Sequence, residues 1–105
     1  MVSLGEIVLY PQQRTAFVGE KQMELTPKEY DLLMLLLQKP DRVYSREQLL
    51  DLVWGMEYVG GTRTVDIHVQ RVRKKLGKNH MEMIQTVHGM GYKALGGYSE
   101  KWHQI

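Results

Sequence analysis

A regular hydrophobic pattern runs from residue 62 to residue 76. In a helix with about 100° of rotation per residue, four apolar positions form one narrow stripe that can face a core: Val65, Val69, Val72 and Leu76. Most of the opposite side is polar or basic. The spacing therefore predicts an amphipathic helix over 62–76, which ends at Gly77 because glycine favours helix termination.

Two further helices are predicted upstream, over 27–39 and 46–54. Each starts with a capping box, in which a hydroxyl side chain and the side chain three residues later bond each other's backbone N–H groups: Thr26 with Glu29, and Ser45 with Gln48. Apolar residues then recur at helical spacing: Tyr30, Leu33, Met34 and Leu37, and later Leu49, Leu50, Val53 and Trp54. Pro40 and Gly55 follow the two predicted helix ends, where proline and glycine are common.

The remaining pattern is β-prone at both ends of the chain. Within residues 2–25, short β-prone runs separated by turn-forming segments predict a small antiparallel sheet. Residues 83–94 predict a hairpin with strands over 83–87 and 91–94 and glycines at 89 and 91. Residues 95–105 show no clear period and are predicted to form a C-terminal tail.

Length and composition agree with a single α+β domain over 1–94. In it the second and third helices form a helix-turn-helix and the hairpin forms a wing. The 105 residues are 43% hydrophobic and 25% charged, as in ordinary globular proteins, and include no cysteine, which excludes disulfides and thiolate metal sites. No apolar run approaches the roughly 20 residues of a membrane span, and no signal-peptide pattern begins the chain, so we expect a cytoplasmic protein that does not associate with membranes.

Charge is distributed unevenly, although the net charge is only +2. Within residues 62–80, one acidic residue, Asp66, stands against six cations: Arg63, Arg71, Arg73, Lys74, Lys75 and Lys78. Ile67 points away from the apolar stripe and lies among these cations. A soluble helix rarely exposes a branched apolar residue unless something covers it, and thymine methyl groups in the major groove of DNA can do so. The basic helix and the hairpin together predict a domain that binds double-stranded DNA.

Side chains of the basic helix are predicted to have different roles on DNA. Arg71 and Gln70 have the reach and polarity to contact base edges, whereas Arg73 and Lys74 fit phosphate contacts better. His68 lies beside this face, and its position agrees equally with a phosphate contact and with simple packing beside the backbone.

Two residues of the second helix also suit a DNA backbone. Arg46 follows the helix cap, so its charge and the exposed N–H groups of that helix end favour a phosphate, although a solvated arginine fits the pattern as well. Trp54 can direct its indole N–H outward to a phosphate, or be buried without that role.

Nothing in the sequence predicts catalysis, a metal site or a cofactor. No metal-ligand spacing relates the histidines at 68, 80, 88 and 103. Thr26 and Ser45 are helix caps, and neither they nor Ser99 has the context of a nucleophile. We therefore expect a protein that is not an enzyme.

An alternative function from another class is a winged-helix module whose helix and wing dock on an acidic protein. Such an interface should bury more apolar area and fewer cations than the face around Ile67 offers.

Six motifs give the chain a resemblance to a known family, over about residues 6–94. They are Leu25-Thr-Pro-Lys-Glu-Tyr-Asp-Leu-Leu33, Val43-Tyr-Ser-Arg-Glu-Gln-Leu49, Val53-Trp-Gly55, Arg63-Thr-Val-Asp-Ile-His-Val69, Arg71-Val-Arg-Lys-Lys-Leu76 and Thr86-Val-His-Gly-Met-Gly-Tyr92. In this order and spacing they resemble the DNA-binding effector domains of OmpR/PhoB-type two-component response regulators. The resemblance implies a winged helix-turn-helix with an N-terminal four-stranded antiparallel sheet, three helices and a C-terminal β-hairpin wing.

The resemblance also implies how such a domain works. The helix over 62–76 reads the major groove, the wing over 83–94 enters the neighbouring minor groove, and the loop over 55–61 contacts RNA polymerase. Two copies bind head to tail, as a dimer on direct repeats, to regulate transcription. A phosphorelay through a sensor kinase and a receiver domain controls binding, and the receiver domain is expected to lie outside these 105 residues.

Matching positions imply a set of DNA contacts: Arg46, Trp54, Arg63, Thr64, Ile67, His68, Gln70, Arg71, Arg73, Thr86 and the wing-tip residue His88. Lys74 joins this set because of its place on the basic face. The sequence departs from the family pattern at His88 and Gln70, which stand where a basic residue is common.

Overall fold

A computed structural model describes residues 1–96 of the chain. An antiparallel sheet comes first, with its strands adjacent in chain order: β1 Val2–Leu4, β2 Ile7–Tyr10, β3 Thr15–Val18 and β4 Lys21–Met23. The helices are α1 Pro27–Gln38, α2 Arg46–Leu49 and α3 Arg63–Leu76, and the wing consists of β5 Ile84–Val87 and β6 Gly91–Ala94. The predicted four-stranded sheet, three helices and C-terminal hairpin are confirmed.

The core lies between the sheet, α1 and α3. The predicted stripe of α3 is confirmed, since all four of its members are buried: Val65, Val69, Val72 and Leu76. The predicted apolar face of α1 is partly wrong, because Met34 is only half-buried whereas Leu32 and Leu36 are completely buried. α1 packs against the sheet on one side and against α3 on another, so a single stripe cannot describe its buried surface.

The second helix is not the uniform α-helix predicted over 46–54. Its α-helical part ends at Leu49, and Leu50–Trp54 continues as a π-helix. The N–H of Gly55 bonds the carbonyl of Leu50 as well as that of Asp51, both at 3.1 Å. Lys28 Nζ, from the first turn of α1, donates to the carbonyl of Val53 at 3.0 Å. A neighbouring helix thus satisfies one of the carbonyls that any helix leaves without an intrahelical partner in its last turn.

The wing is attached to the domain by its backbone. Tyr92 of β6 and Tyr44, which immediately precedes the cap of α2, exchange two N–H···O bonds at 2.9 and 3.0 Å. Gly91 permits this approach, because a Cβ atom there would lie 1.9 Å from the carbonyl oxygen of Tyr44. Tyr44 therefore extends the two-stranded hairpin at its base.

The folded part continues beyond the predicted limit at residue 94. Leu95 packs against the core and donates its N–H to the carbonyl of Met83 at 2.8 Å, and Gly96 donates its N–H to Asp41 Oδ1 at 2.9 Å. Residues 97–105 of the predicted tail lie outside the described residues. Within residues 1–96, no helix has both the length and the apolar character needed to span a membrane.

Candidate nucleic-acid interface

The solvent side of α3 carries the side chains that the sequence assigned to DNA. Five of them are exposed: Arg63, Ile67, Gln70, Arg71 and Lys74. Ile67 is 42% exposed, as its position opposite the buried stripe requires. In the described part of the chain none of the cations in this group, nor Lys78 after the helix, takes part in an ion pair. The face therefore offers unpaired positive charge around an apolar side chain.

Arg73 has a different environment from its basic neighbours. Its Nη2 donates to the carbonyl of Ile84 at 2.7 Å and to Thr86 Oγ1 at 2.9 Å, and its Nε donates to the same carbonyl at 3.1 Å. Burial lowers the pKa of the guanidinium, and the nearby Tyr92 opposes this shift. Arg73 thus joins α3 to β5. The predicted phosphate contact would have to use Nη1, which takes no part in these bonds.

Arg46, at the start of α2, is paired within the protein. Its Nε donates to Asp66 Oδ1, in the first turn of α3, at 2.7 Å. The solvated side chain considered for Arg46 is therefore not observed. The Nη groups of Arg46 are not used in this bond, so a phosphate contact by Arg46 remains a prediction.

Asp66 also accepts a hydrogen bond from the hydroxyl of Tyr92 at 2.6 Å. Partial burial alone would raise the pKa of Asp66, but the hydrogen bonds from Tyr92 and Arg46 and the nearby charges of Arg46 and Arg63 outweigh it and lower the pKa. For Tyr92, burial and the bond to Asp66 both raise the pKa. The pair is therefore a carboxylate and a neutral phenol at neutral pH.

His68 and Trp54 pack against each other at the edge of this face. Their ring centroids are 4.8 Å apart in an edge-to-face arrangement, and His68 Nδ1 lies 2.7 Å from the carbonyl oxygen of Thr64. His68 thus packs beside the backbone, and a phosphate contact by His68 remains a prediction. Trp54 is partly buried, which leaves both of its predicted roles open.

The wing tip projects from the domain with three exposed residues, His88, Gly89 and Met90. Thr86 lies nearer the base, half-buried, where its hydroxyl accepts the bond from Arg73. Between α3 and the wing runs an open groove lined by Gln70, Arg73, Gln85 and Thr86, among others. Helix, groove and wing tip thus form one continuous surface.

Sequence reasoning missed the residues that connect these elements. Asp66 stood out only as the single acid of the basic segment, and Tyr92 only as the end of the last motif. Glu29 was recognised as a capping residue, but not as the buried partner of Lys75, whose Nζ lies 2.6 Å from Glu29 Oε1. Across residues 1–96, no group of three or more acidic, histidine or cysteine side chains is arranged to hold a metal.

Comparison with known proteins identifies relatives of the chain. The sequence profile of the family described as "Transcriptional regulatory protein, C terminal" matches residues 19–94. The transcriptional regulatory protein YclJ of Bacillus subtilis is 53% identical over 75 residues, which are 71% of this chain and 33% of YclJ. The phosphate regulon regulator PhoB of Shigella flexneri is 42% identical over 94 residues, 89% of this chain and 41% of PhoB. The chain thus spans about a third to two fifths of the length of these relatives.

Solved structures show the same architecture. The RstA DNA-binding domain of Klebsiella pneumoniae, determined in complex with the RstA box, has a TM-score of 0.79 at 31% identity, covering 90% of this chain and 96% of that one. DrrB of Thermotoga maritima, described as an OmpR/PhoB homologue, has a TM-score of 0.80 at 30% identity, covering 90% of this chain and 43% of DrrB.

Proposed function

Because the chain belongs to the family of C-terminal DNA-binding effector domains of OmpR/PhoB-type transcriptional regulatory proteins, we propose that α3 binds in the major groove of its operator and the wing at the adjacent minor groove. The observation that carries the proposal is the exposure of Ile67 among the unpaired cations Arg63, Arg71 and Lys74. Exposure of an isoleucine side chain to water is unfavourable, and contact with a thymine methyl group in the major groove would remove it from water.

The predicted contact residues fall into three proposed roles. Gln70, Arg71 and Ile67 contact base edges in the major groove. Arg63, Thr64, Lys74, Trp54 and Arg46 bind the phosphate backbone, with His68 supporting Thr64 and Trp54. His88 enters the minor groove, and Thr86 and Arg73 place the wing and approach the phosphates beside it.

The proposal extends to the whole regulator. A receiver domain, phosphorylated through a sensor kinase, controls the effector domain, and two copies bind direct repeats head to tail in the cytoplasm. The loop over 55–61 contacts RNA polymerase; Met56 and Val59, 87% and 95% exposed, give it an apolar surface that suits a protein partner. No enzymatic activity is part of this function.

Operator selection from a random pool of duplexes tests the function directly. An enriched motif repeated in one orientation supports the proposal, and recovery of no motif contradicts it. Binding to an acidic protein with no preference among duplexes would favour the protein-docking alternative.

Affinity for DNA should fall steeply with salt. If Arg46, Arg63, Lys74 and Lys78 each neutralise a phosphate, the log–log slope is about −3.6, so doubling the salt concentration weakens binding about tenfold. Fluorescence anisotropy across a salt series measures the slope, and Lys74→Gln should reduce its magnitude by about 1. A slope near −1 for the wild type is incompatible with this footprint.

Arg71→Ala should weaken operator binding by about 2 kcal/mol while leaving binding to unrelated duplexes almost unchanged, because a bidentate guanine contact exists only on the operator. Lys74→Ala is the matched control, since a lost phosphate contact lowers affinity for both kinds of duplex alike. Competition binding with operator and scrambled duplexes separates the two patterns. Equal losses on both for Arg71→Ala would assign Arg71 to the backbone.

A further inference from the structure

Helices α2 and α3 and the two wing strands, β5 and β6, meet around the ring of Tyr92. Its backbone pairs with Tyr44 in front of α2, and its hydroxyl bonds Asp66 on α3. The guanidinium carbons of Arg46 and Arg73 lie 5.2 and 5.7 Å from the ring centroid, within the range of cation–π contacts. Tyr92 is itself a wing residue and is 5% exposed, so the ring links α2, α3 and both wing strands.

Among residues 1–96, the Asp66 carboxylate is the only acidic group that bonds both α2 and the wing. A single oxygen, Oδ1, accepts from Arg46 Nε at 2.7 Å and from the Tyr92 hydroxyl at 2.6 Å. The bond uses only the Nε of Arg46, so its two Nη groups are not part of it and remain available to a phosphate. The same carboxylate therefore orients a DNA-binding cation and fixes the wing.

The negative charge of Asp66 is unfavourable for DNA binding. Asp66 lies in the first turn of α3, on a helix whose other charged residues are all basic. Repulsion between its charge and the phosphates weakens association with any duplex, whatever the sequence. Its charge at the N-terminal end of α3 and its two hydrogen bonds stabilise the fold, whereas a positioning role favours one DNA sequence over others.

We infer that Asp66 and Tyr92 are positioning residues for DNA recognition, which hold the wing and Arg46 at a fixed orientation to α3 and thereby set the preference for the operator over other DNA. The inference rests on the proposed DNA-binding function. A wing held at the wrong angle loses its groove contacts on the operator, whereas binding through charge alone tolerates such an error.

Two variants of the 105-residue chain test the inference, Asp66→Asn and Tyr92→Phe. The duplexes are a sequence selected by the wild type from a random pool and a scrambled sequence of the same length and composition. Tyr92→Phe keeps the ring and the backbone pair with Tyr44, so the fold is retained, and it changes no charge. Glu82→Gln is the matched control, because Glu82 is an exposed acid beside the groove between α3 and the wing.

The ratio of operator affinity to scrambled-duplex affinity is the decisive measurement. It should fall about tenfold in Tyr92→Phe and in Asp66→Asn, the loss expected for a hydrogen bond to a charged group. The double variant should lose no more than either single variant, because both break one linkage. Glu82→Gln should strengthen binding to both duplexes by the same factor and leave the ratio unchanged.

Three results would overturn the inference. If Asp66→Asn strengthens binding to both duplexes by the same factor, as expected for Glu82→Gln, Asp66 is an ordinary surface acid. A lower melting temperature in Tyr92→Phe with an unchanged ratio would assign Tyr92 a purely structural role, since a smaller folded fraction weakens both affinities equally. Additive losses in the double variant would show that the two residues act separately. Failure of the wild type to prefer any duplex would instead contradict the DNA-binding function itself.

Discussion

Gly91→Ala is expected to destabilise the domain by about 4 kcal/mol, the sum of overpacking and backbone strain. A Cβ atom at residue 91 would lie 1.9 Å from the carbonyl oxygen of Tyr44 and 2.8 Å from its carbonyl carbon. The backbone at Gly91 has φ 154°, which L-residues rarely adopt. Backbone cannot move aside as a flexible side chain can, so the wing must separate from Tyr44. Urea denaturation followed by tryptophan fluorescence measures the loss.

Gly89→Ala is the matched control in the same hairpin. Gly89 also has a positive φ, 76°, but no atom lies within 4 Å of the position of its Cβ. Gly89→Ala should reduce the free energy of unfolding by about 1 kcal/mol, from the left-handed backbone conformation alone. Equal losses in the two variants would show that the close approach to Tyr44 contributes nothing.

Lys75→Met should cost about 3 kcal/mol, because it leaves a buried carboxylate without its ion-pair partner. Glu29 is 1% exposed, whereas the Lys75 side chain is 35% exposed. Desolvation alone would raise the pKa of Glu29, but the bonds from Lys75 and Thr26 outweigh it and lower the pKa below the ordinary value of 4.5. Lys74→Met, one residue away on the exposed face, should change stability by less than about 0.5 kcal/mol.

The loss of stability caused by Lys75→Met should be smaller at low pH. A carboxylate with a lowered pKa in the folded state contributes stability above its unfolded pKa, and this contribution is lost as the pH falls through the folded value. The wild type therefore loses stability below about pH 4.5, whereas the variant is relieved of an unpaired charge when Glu29 takes up a proton. Denaturation at pH 7 and at pH 3 should show a smaller difference at pH 3. A constant difference would mean that Lys75 stabilises the domain by packing alone.

The parts of the fold that depend on one segment were predictable from the sequence. The stripe from Val65 to Leu76 faces one core surface, so helical spacing alone identifies it. Both capping boxes form as predicted, because each closes within three residues. The buried surface of α1 and the π-helix after Leu49 could not be predicted in this way, since they depend on what packs around each helix.

The same distinction applies to the candidate interface. The exposure of Ile67 and Arg71 follows from the period of α3 and was predicted. The environments of Arg73 and Asp66 depend on residues 13 and 26 positions further along the chain, and nothing in the local pattern indicates which side chains meet. A basic residue looks the same in sequence whether it will bind a phosphate or a backbone carbonyl of its own protein.

The pairing of Tyr44 with Tyr92 has a consequence for how this protein can diverge. At the base of the wing, Gly91 and Tyr92 are constrained by close backbone contacts with Tyr44. At the tip, the side chains of His88 and Met90 are exposed and take no part in the core. If the tip has the minor-groove role proposed above, a paralogue can acquire a new target site by changing residues at the tip while the base of the hairpin stays the same.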